Sequence, residues 1–178
     1  MIRLKPLISE VKYDYGCVMA YPAPELSAQM IAFGKNIITD DMLYLDPNEP
    51  DDYGRERDPH ITIKFGLTES YPPSKIGEYI QGTKPFFVRI TGMDIFSNPK
   101  FDVIKMNIEG EELTRLRQIF DQVPNVDEHK IYHPHMTLAY VQPGMGKPFQ
   151  NRSVGKFARV PITRIVYSDR GKKSSYTL

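Results

Sequence analysis

The chain has one cysteine and no tryptophan in 178 residues, so no internal disulfide can staple it and its core must rest on ordinary side-chain packing. Neither sign of charge dominates. With 23 Lys+Arg against 22 Asp+Glu the net charge is +1, which argues against the strongly basic coat of a protein that tracks long DNA or RNA. A small anionic ligand in a local pocket stays open. No apolar run approaches the roughly 18 residues of a membrane span. The N-terminal stretch MIRLKPLISEVKYDY is too broken by charge and proline for a secretory signal, so a cytoplasmic location with no membrane partner is expected. What is present is enough to fold: 40% hydrophobic residues, 11% of the chain aromatic, and the length of one ordinary domain over residues 1–178. Cys17, inside the apolar run Cys17 to Ala20, is expected to be a small buried hydrophobe.

Periodicity divides the chain into alternating strands and helices. Gly16 to Tyr21 is a strand closed by Pro22 and Pro24. Leu26, Met30, Phe33 and Ile37 then recur on one helical stripe from Glu25 to about Thr39. Residues 46–59 (DPNEPDDYGRERDP) form a long exposed loop, followed by a strand from His60 to Gly66. A second helix is predicted over Ser74–Gln81, stopped by Gly82. Two or three strands are predicted next, over Phe86–Thr91, Met93–Phe96 and Phe101–Ile108. A helix with acidic residues in its first turn covers Glu111–Val123, residues 131–141 form a strand, Pro143–Val160 a loop, and Ile162–Ser168 a last strand, with the tail GKKSSYTL unassigned.

One pentapeptide pattern occurs twice: Pro59-His60-Ile61-Thr62-Ile63 and Pro134-His135-Met136-Thr137-Leu138, with the histidines 75 positions apart. In a strand, residues i and i+2 share a face, so His60, Thr62 and Lys64 are expected on one side and Ile61, Ile63 and Phe65 on the other. Likewise His133, His135, Thr137 and Ala139 should oppose Met136, Leu138 and Tyr140. If the halves pack as pseudo-symmetric lobes, two imidazoles and two hydroxyls meet across a cleft. One imidazole can take a nucleophile's proton while the other donates to the leaving oxygen, since a pKa near 6.5 permits both states at neutral pH. The threonines can donate to non-bridging phosphate oxygens.

These motifs, PHITI and PHMTL, resemble the paired His-x-Thr signatures of the 2H phosphoesterase superfamily, which includes the LigT-like RNA 2′,3′-cyclic phosphodiesterases. The resemblance implies an α+β, bilobal fold of two pseudo-symmetric antiparallel β-sheets flanked by helices with a central active-site cleft. It further implies metal-independent phosphodiester chemistry with no cofactor, and catalytic roles for His60, Thr62, His135 and Thr137. The order GCVMAY, an acidic loop, DPHITIKFGL and PHMTLAYV is similar to phage-encoded members, some of which cleave cyclic di- and trinucleotide signals and so disarm CBASS, a bacterial antiphage defence. A hydrolase of cyclic oligonucleotide second messengers acting in immune evasion is therefore expected, as a monomer or small homo-oligomer in the host cytoplasm. Its alternatives are an enzyme acting on short RNA ends and a non-catalytic protein that sequesters a nucleotide.

Each residue also has a plainer reading. Lys64 could neutralise a phosphate or simply reach solvent. Tyr21 could stack on a nucleobase or cap the core. Arg55 and Arg57 could clamp a second phosphate, or pair with Asp51, Asp52, Glu56 and Asp58. His133, His135 and His60, with Asp58 as a fourth ligand, have the makings of a metal site, but that reading leaves both threonines idle. His129 is expected at the solvated surface.

Overall fold

The computed structural model describes residues 15–50, 52–129, 131–155 and 159–178; the N-terminal stretch read above, apart from Tyr15, and Asp51 lie outside these. In chain order the elements are β1 (Gly16–Pro22), α1 (Pro24–Ile37), β2 (Ile61–Leu67), α2 (Pro73–Tyr79), β3 (Phe86–Ser97), β4 (Asp102–Glu109), α3 (Glu111–Asp121), β5 (His135–Val141), β6 (Arg159–Asp169) and β7 (Lys172–Thr177), with single 3-10 turns at Asp40–Met42 and Lys147–Phe149. The α+β antiparallel fold is the expected one, and two of the three helices, α1 and α2, start where proline is tolerated in a first turn, at Pro24 and Pro73. No helix among the described residues is long and apolar enough to cross a membrane.

All strand pairings are antiparallel, in the order β1-β2-β5-β4-β3-β6-β7, and β1 also pairs with β6. Two groups of strands, β1, β2, β6 and β7 on one hand and β3, β4 and β5 on the other, therefore join edge to edge, at β2–β5 and at β3–β6. The first of these seams is narrow, a single ladder pair of Ile61 with Met136, reinforced by the Tyr132 hydroxyl donating to the Thr62 carbonyl at 3.0 Å.

A row of partners runs across five strands through that seam: Ala20, Ile61, Met136, Met106 and Met93. All five are buried in the main core. Each side chain of that size contributes about 1.5–3 kcal/mol on leaving water, alanine less, so this row fixes the register strongly. The helical stripes supply the other wall. Met30 of α1, Ile76 of α2, and Leu113, Leu116 and Phe120 of α3 are wholly buried against the sheet, while Leu26, Phe33 and Ile37 pack at its margin.

Several boundaries differ from expectation. β3 is one strand, because Gly92 is not a stop: it sits at a register shift where a side chain would meet the Arg152 carbonyl oxygen at 3.1 Å. β5 begins at His135 rather than 131, β6 reaches back to Arg159, and the unassigned tail forms β7 on the edge of β6.

Candidate active site

The core row determines what lies on the opposite face of the sheet. Since Ile61 and Met136 point into the core, the residues on either side of each point the opposite way. Antiparallel register brings Thr62 level with His135, and His60 level with Thr137. The four residues singled out in the sequence thus fall on one face of one sheet, each histidine beside the other motif's threonine.

The two imidazoles are held alike. His60 Nδ1 contacts the Asp58 carbonyl at 2.7 Å, and His135 Nδ1 contacts the His133 carbonyl at 2.9 Å. A carbonyl oxygen can only accept, so Nδ1 carries the proton in both rings and Nε2 is left as the atom that gains or loses one. In each case the acceptor lies two residues back, across Pro59 or Pro134, which explains why both motifs begin with proline.

Their surroundings differ in charge. The Asp58 carboxylate accepts from the Tyr21 hydroxyl at 2.8 Å and pairs with Lys173 Nζ at 3.3 Å. Partial burial alone would raise the Asp58 pKa, but these donors and the nearby charges outweigh it and hold the carboxyl below its ordinary value. His60 lies beside this anion, its ring stacked on Tyr21 at 5.6 Å. His135 lies beside a cation. Lys105, the cross-strand partner of Thr137, is 5% exposed and places Nζ 4.5 Å from the centre of the Phe96 ring, which meets the His135 ring edge-on at 5.0 Å. Burial is the largest cause and lowers the His135 pKa; the His133 carbonyl, next in size, pulls it up, and the Lys105 charge and the other histidines add smaller downward effects, leaving it lowered to about 4.

Beyond each threonine the expected alternation fails, and for the same reason. Between β1 and β2 the register jumps from Val18–Lys64 to Met19–Thr62; between β4 and β5 it jumps from Ile104–Ala139 to Lys105–Thr137. An extra residue in each motif strand, Ile63 or Leu138, exchanges the faces that follow. Lys64 consequently leaves the His60 face and turns inward, where it is 2% exposed and pairs with Asp121 at 2.7 Å and Asp127 at 3.3 Å. Ala139 is likewise core, not cleft. Tyr140 moves to the threonine side and hydrogen-bonds Thr137. Its ring joins Tyr44, Tyr53 and Phe101 in an aromatic cluster with centroids 5.0–5.6 Å apart.

The remaining candidates separate. Tyr21 is 3% exposed, with Arg164 4.6 Å above its ring as well as His60 beside it, so neither ring face is open to a nucleobase and the residue supports His60 instead. It does not cap the main core either, packing with Met19, Val166 and Cys17 in a small separate cluster. Burial there pushes the Cys17 thiol up to about 12, so it is inert as a nucleophile. Arg55 pairs with Asp40 at 2.6 Å and donates to the Ile38 carbonyl at 2.6 Å at the end of α1, so it is a helix tether. Arg57 is exposed in the loop just before the first motif. His133 is exposed, and what it offers His135 is its carbonyl rather than its ring. Among the described residues no group of three or more His, Cys, Asp or Glu has the arrangement of a metal site.

Lys105, Asn107, Phe96, Arg164 and Lys173 were not singled out in the sequence. Lys105 had a legible signal, a charged residue within the apolar strand DVIKMNIE and in phase with Asn107.

The sequence model of the 2′-5′ RNA ligase superfamily matches residues 44–146, a segment that contains both motifs. No curated protein sequence matches the chain. Among solved structures, Usb1 of Kluyveromyces marxianus is 9% identical, covers 93% of this chain and 99% of its own, and superposes with a TM-score of 0.58. Escherichia coli LigT complexed with 3′-AMP is 13% identical, with 93% and 95% covered and a TM-score of 0.57. The protein TT0787 of Thermus thermophilus is 16% identical, with 92% and 94% covered and a TM-score of 0.52. At these identities the likeness is one of fold.

Proposed function

The chain belongs to the 2′-5′ RNA ligase superfamily of 2H phosphoesterases, and from that premise we propose that it is a metal-independent phosphodiesterase acting on a nucleotide through His60 and His135. The observation that carries this reading is the matched pair of Nδ1–H to carbonyl bonds, which leaves Nε2 of each ring as its titrating atom on one face. The charged surroundings divide the labour. His135, half-buried beside Lys105, is the imidazole held neutral and serves as the base; His60, beside Asp58, is placed on the other side of the phosphorus to deliver a proton to the leaving oxygen.

In the first step Nε2 of His135 takes the proton of the substrate's 2′-hydroxyl as that oxygen attacks phosphorus. His60 delivers its Nε2 proton to the departing 5′-oxygen, leaving a 2′,3′-cyclic phosphate. Water then attacks with its proton passing to His60, and His135 returns its proton to the 2′-oxygen. Thr62 and Thr137 donate to the non-bridging oxygens, where a positioned donor strengthens its bond as charge develops.

The substrate we assign is the 3′–5′ phosphodiester of a cyclic oligonucleotide second messenger, in the role of a viral counter-defence against CBASS. Nucleotide scale is supported by the structural neighbours: one Usb1 structure holds uridine monophosphate, and one LigT structure holds 3′-AMP. The near-neutral net charge, +1, favours a small ligand over long RNA. The second reading, an enzyme of RNA 2′,3′-cyclic phosphate ends, draws on the same two neighbours.

Mass spectrometry after incubation with cyclic di- and trinucleotides, and with short RNA ending in a cyclic phosphate, separates the readings. Linear or cyclic-phosphate products from the rings support the first; turnover of the RNA end alone supports the second. Ligand recovered intact from the whole panel would make the protein a binder. A 2′-deoxy cyclic dinucleotide should be bound and left uncut, and its cleavage at an undiminished rate would show direct attack by water.

A further inference from the structure

Phe87, on β3, is 53% exposed, an unusual place for a large apolar ring. The guanidinium of Arg159 lies 3.9 Å over its centre. Arg159 is also the direct cross-strand partner of Arg89, so two like charges stand opposite each other, an arrangement that destabilises a sheet unless something anionic lies between them. Glu109 pairs with Arg89 from the far side, but among the described residues no carboxylate pairs with Arg159. Phe87, Val88, Arg89, Glu109 and Arg159 line an open cavity of about 310 Å³, large enough for a nucleobase.

This cavity lies on the catalytic face. Glu109, Asn107 and Lys105 alternate along one side of β4, and Asn107 is the partner of His135. Asn107 is also opposite Gly92 on β3, and Phe87 lies four ladder steps further along after the bulge at Thr91. At about 3.3 Å per step the ring is roughly 13 Å along the strands from the level of His135 and, two strands over, about 10 Å across, so roughly 16 Å away, two nucleotides or more.

From this placement we infer that Phe87, Arg89 and Arg159 form a second nucleotide subsite, stacking a base on Phe87 and holding its phosphate between the two arginines. The base belongs to a nucleotide remote from the scissile bond, so the full substrate has more than two nucleotides. That nucleotide comes either from a larger ring or from a linear strand. The assignment takes the site of bond cleavage from the phosphodiesterase reading, but binding at Phe87 does not depend on it.

The test measures binding by fluorescence anisotropy, with 2′-O-methyl ligands whose blocked nucleophile prevents cleavage: a linear dinucleotide and tetranucleotide, and a cyclic dinucleotide and trinucleotide. The wild-type protein should bind the longer member of at least one pair about tenfold more tightly, as one stacked base implies. Phe87→Ala should erase that preference, Phe87→Tyr should restore it, and dinucleotide binding should not change. Arg159→Ala should weaken the longer ligand and lower its salt slope by about one. Loss confined to the trinucleotide ring identifies a ring; loss confined to the tetranucleotide identifies a strand. Equal affinities for both lengths in the wild-type protein, or longer-ligand binding unaltered in Phe87→Ala and Arg159→Ala, would overturn the subsite. If the variants lose the longer ligand while wild-type protein leaves every 2′-hydroxyl counterpart uncut, the subsite stands and the phosphodiesterase reading falls.

Discussion

Ile61 and Met136 are direct antiparallel partners, and each is the residue that follows a histidine. The pseudo-symmetry of the site therefore passes through a pair of buried apolar side chains rather than through the histidines and threonines themselves. Because each threonine is level with the opposite histidine, the hydroxyls should act as equivalent donors to one phosphate. Thr62→Val and Thr137→Val should each lower kcat without moving the limbs of its pH profile, since a hydroxyl does not titrate in that range. One donor lost from an oxyanion site costs about 2.7–4 kcal/mol, and two shared donors should cost less each. Rates measured from pH 4 to 9 check this; a displaced limb would give the threonine a different task.

Lys64 makes its pairs with Asp121 and Asp127 on the side of the sheet away from the histidines. Lys64→Met should therefore cost stability and not chemistry. Removing one partner of a buried pair typically costs about 3–5 kcal/mol, read as a lowered urea midpoint, while KM and kcat of the folded fraction stay unchanged. A raised KM would return Lys64 to the substrate. Burial raises the Asp127 pKa, but the His129 amide, Arg117 and Lys64 more than offset this and hold it below its ordinary value. The contribution of Asp127 to stability is thus complete above the ordinary carboxylate range and is lost as pH falls through the lowered value.

The Lys105 charge helps keep His135 neutral. Taking the charge away in Lys105→Met should raise the His135 pKa, moving the acidic limb of the pH–rate profile to higher pH, although burial, the larger cause, remains. An unmoved limb would mean that His135 is not the group titrating there.

The helical stripes and most strands were legible, because a period of 3.6 or 2 survives wherever one face is buried. Much of what was not legible came from two bulges. Nothing in ITIKF or MTLAY marks Ile63 or Leu138 as the extra residue, yet each exchanges the faces after it, sending Lys64 and Ala139 inward and bringing Tyr140 to Thr137. The four motif residues escaped this because they precede the bulges. Gly92 lies inside β3 and admits the close approach of the Arg152 backbone there, a contact with no local signal in the sequence. Lys173 reaches Asp58 from a tail whose strand exists only because β6 offers it an edge, a tertiary cause with no local trace.

Activity should persist in EDTA and in His133→Ala, because the contact from residue 133 to His135 is made by a main-chain carbonyl that alanine retains. Loss of turnover in chelator, restored by zinc or manganese, would replace the two-imidazole mechanism with a metal site.

The most direct test compares turnover of the cleaved member of the nucleotide panel by wild-type protein, His60→Ala, His135→Ala and the double variant. Products are followed by mass spectrometry, and folding by circular dichroism. Each single variant should lose about 10²–10⁴ in rate with the fold intact, and the double variant should lose far less than the product of the two, since acid and base act on one phosphorus. Either single variant turning over substrate at near the wild-type rate, with an unchanged spectrum, would contradict the account.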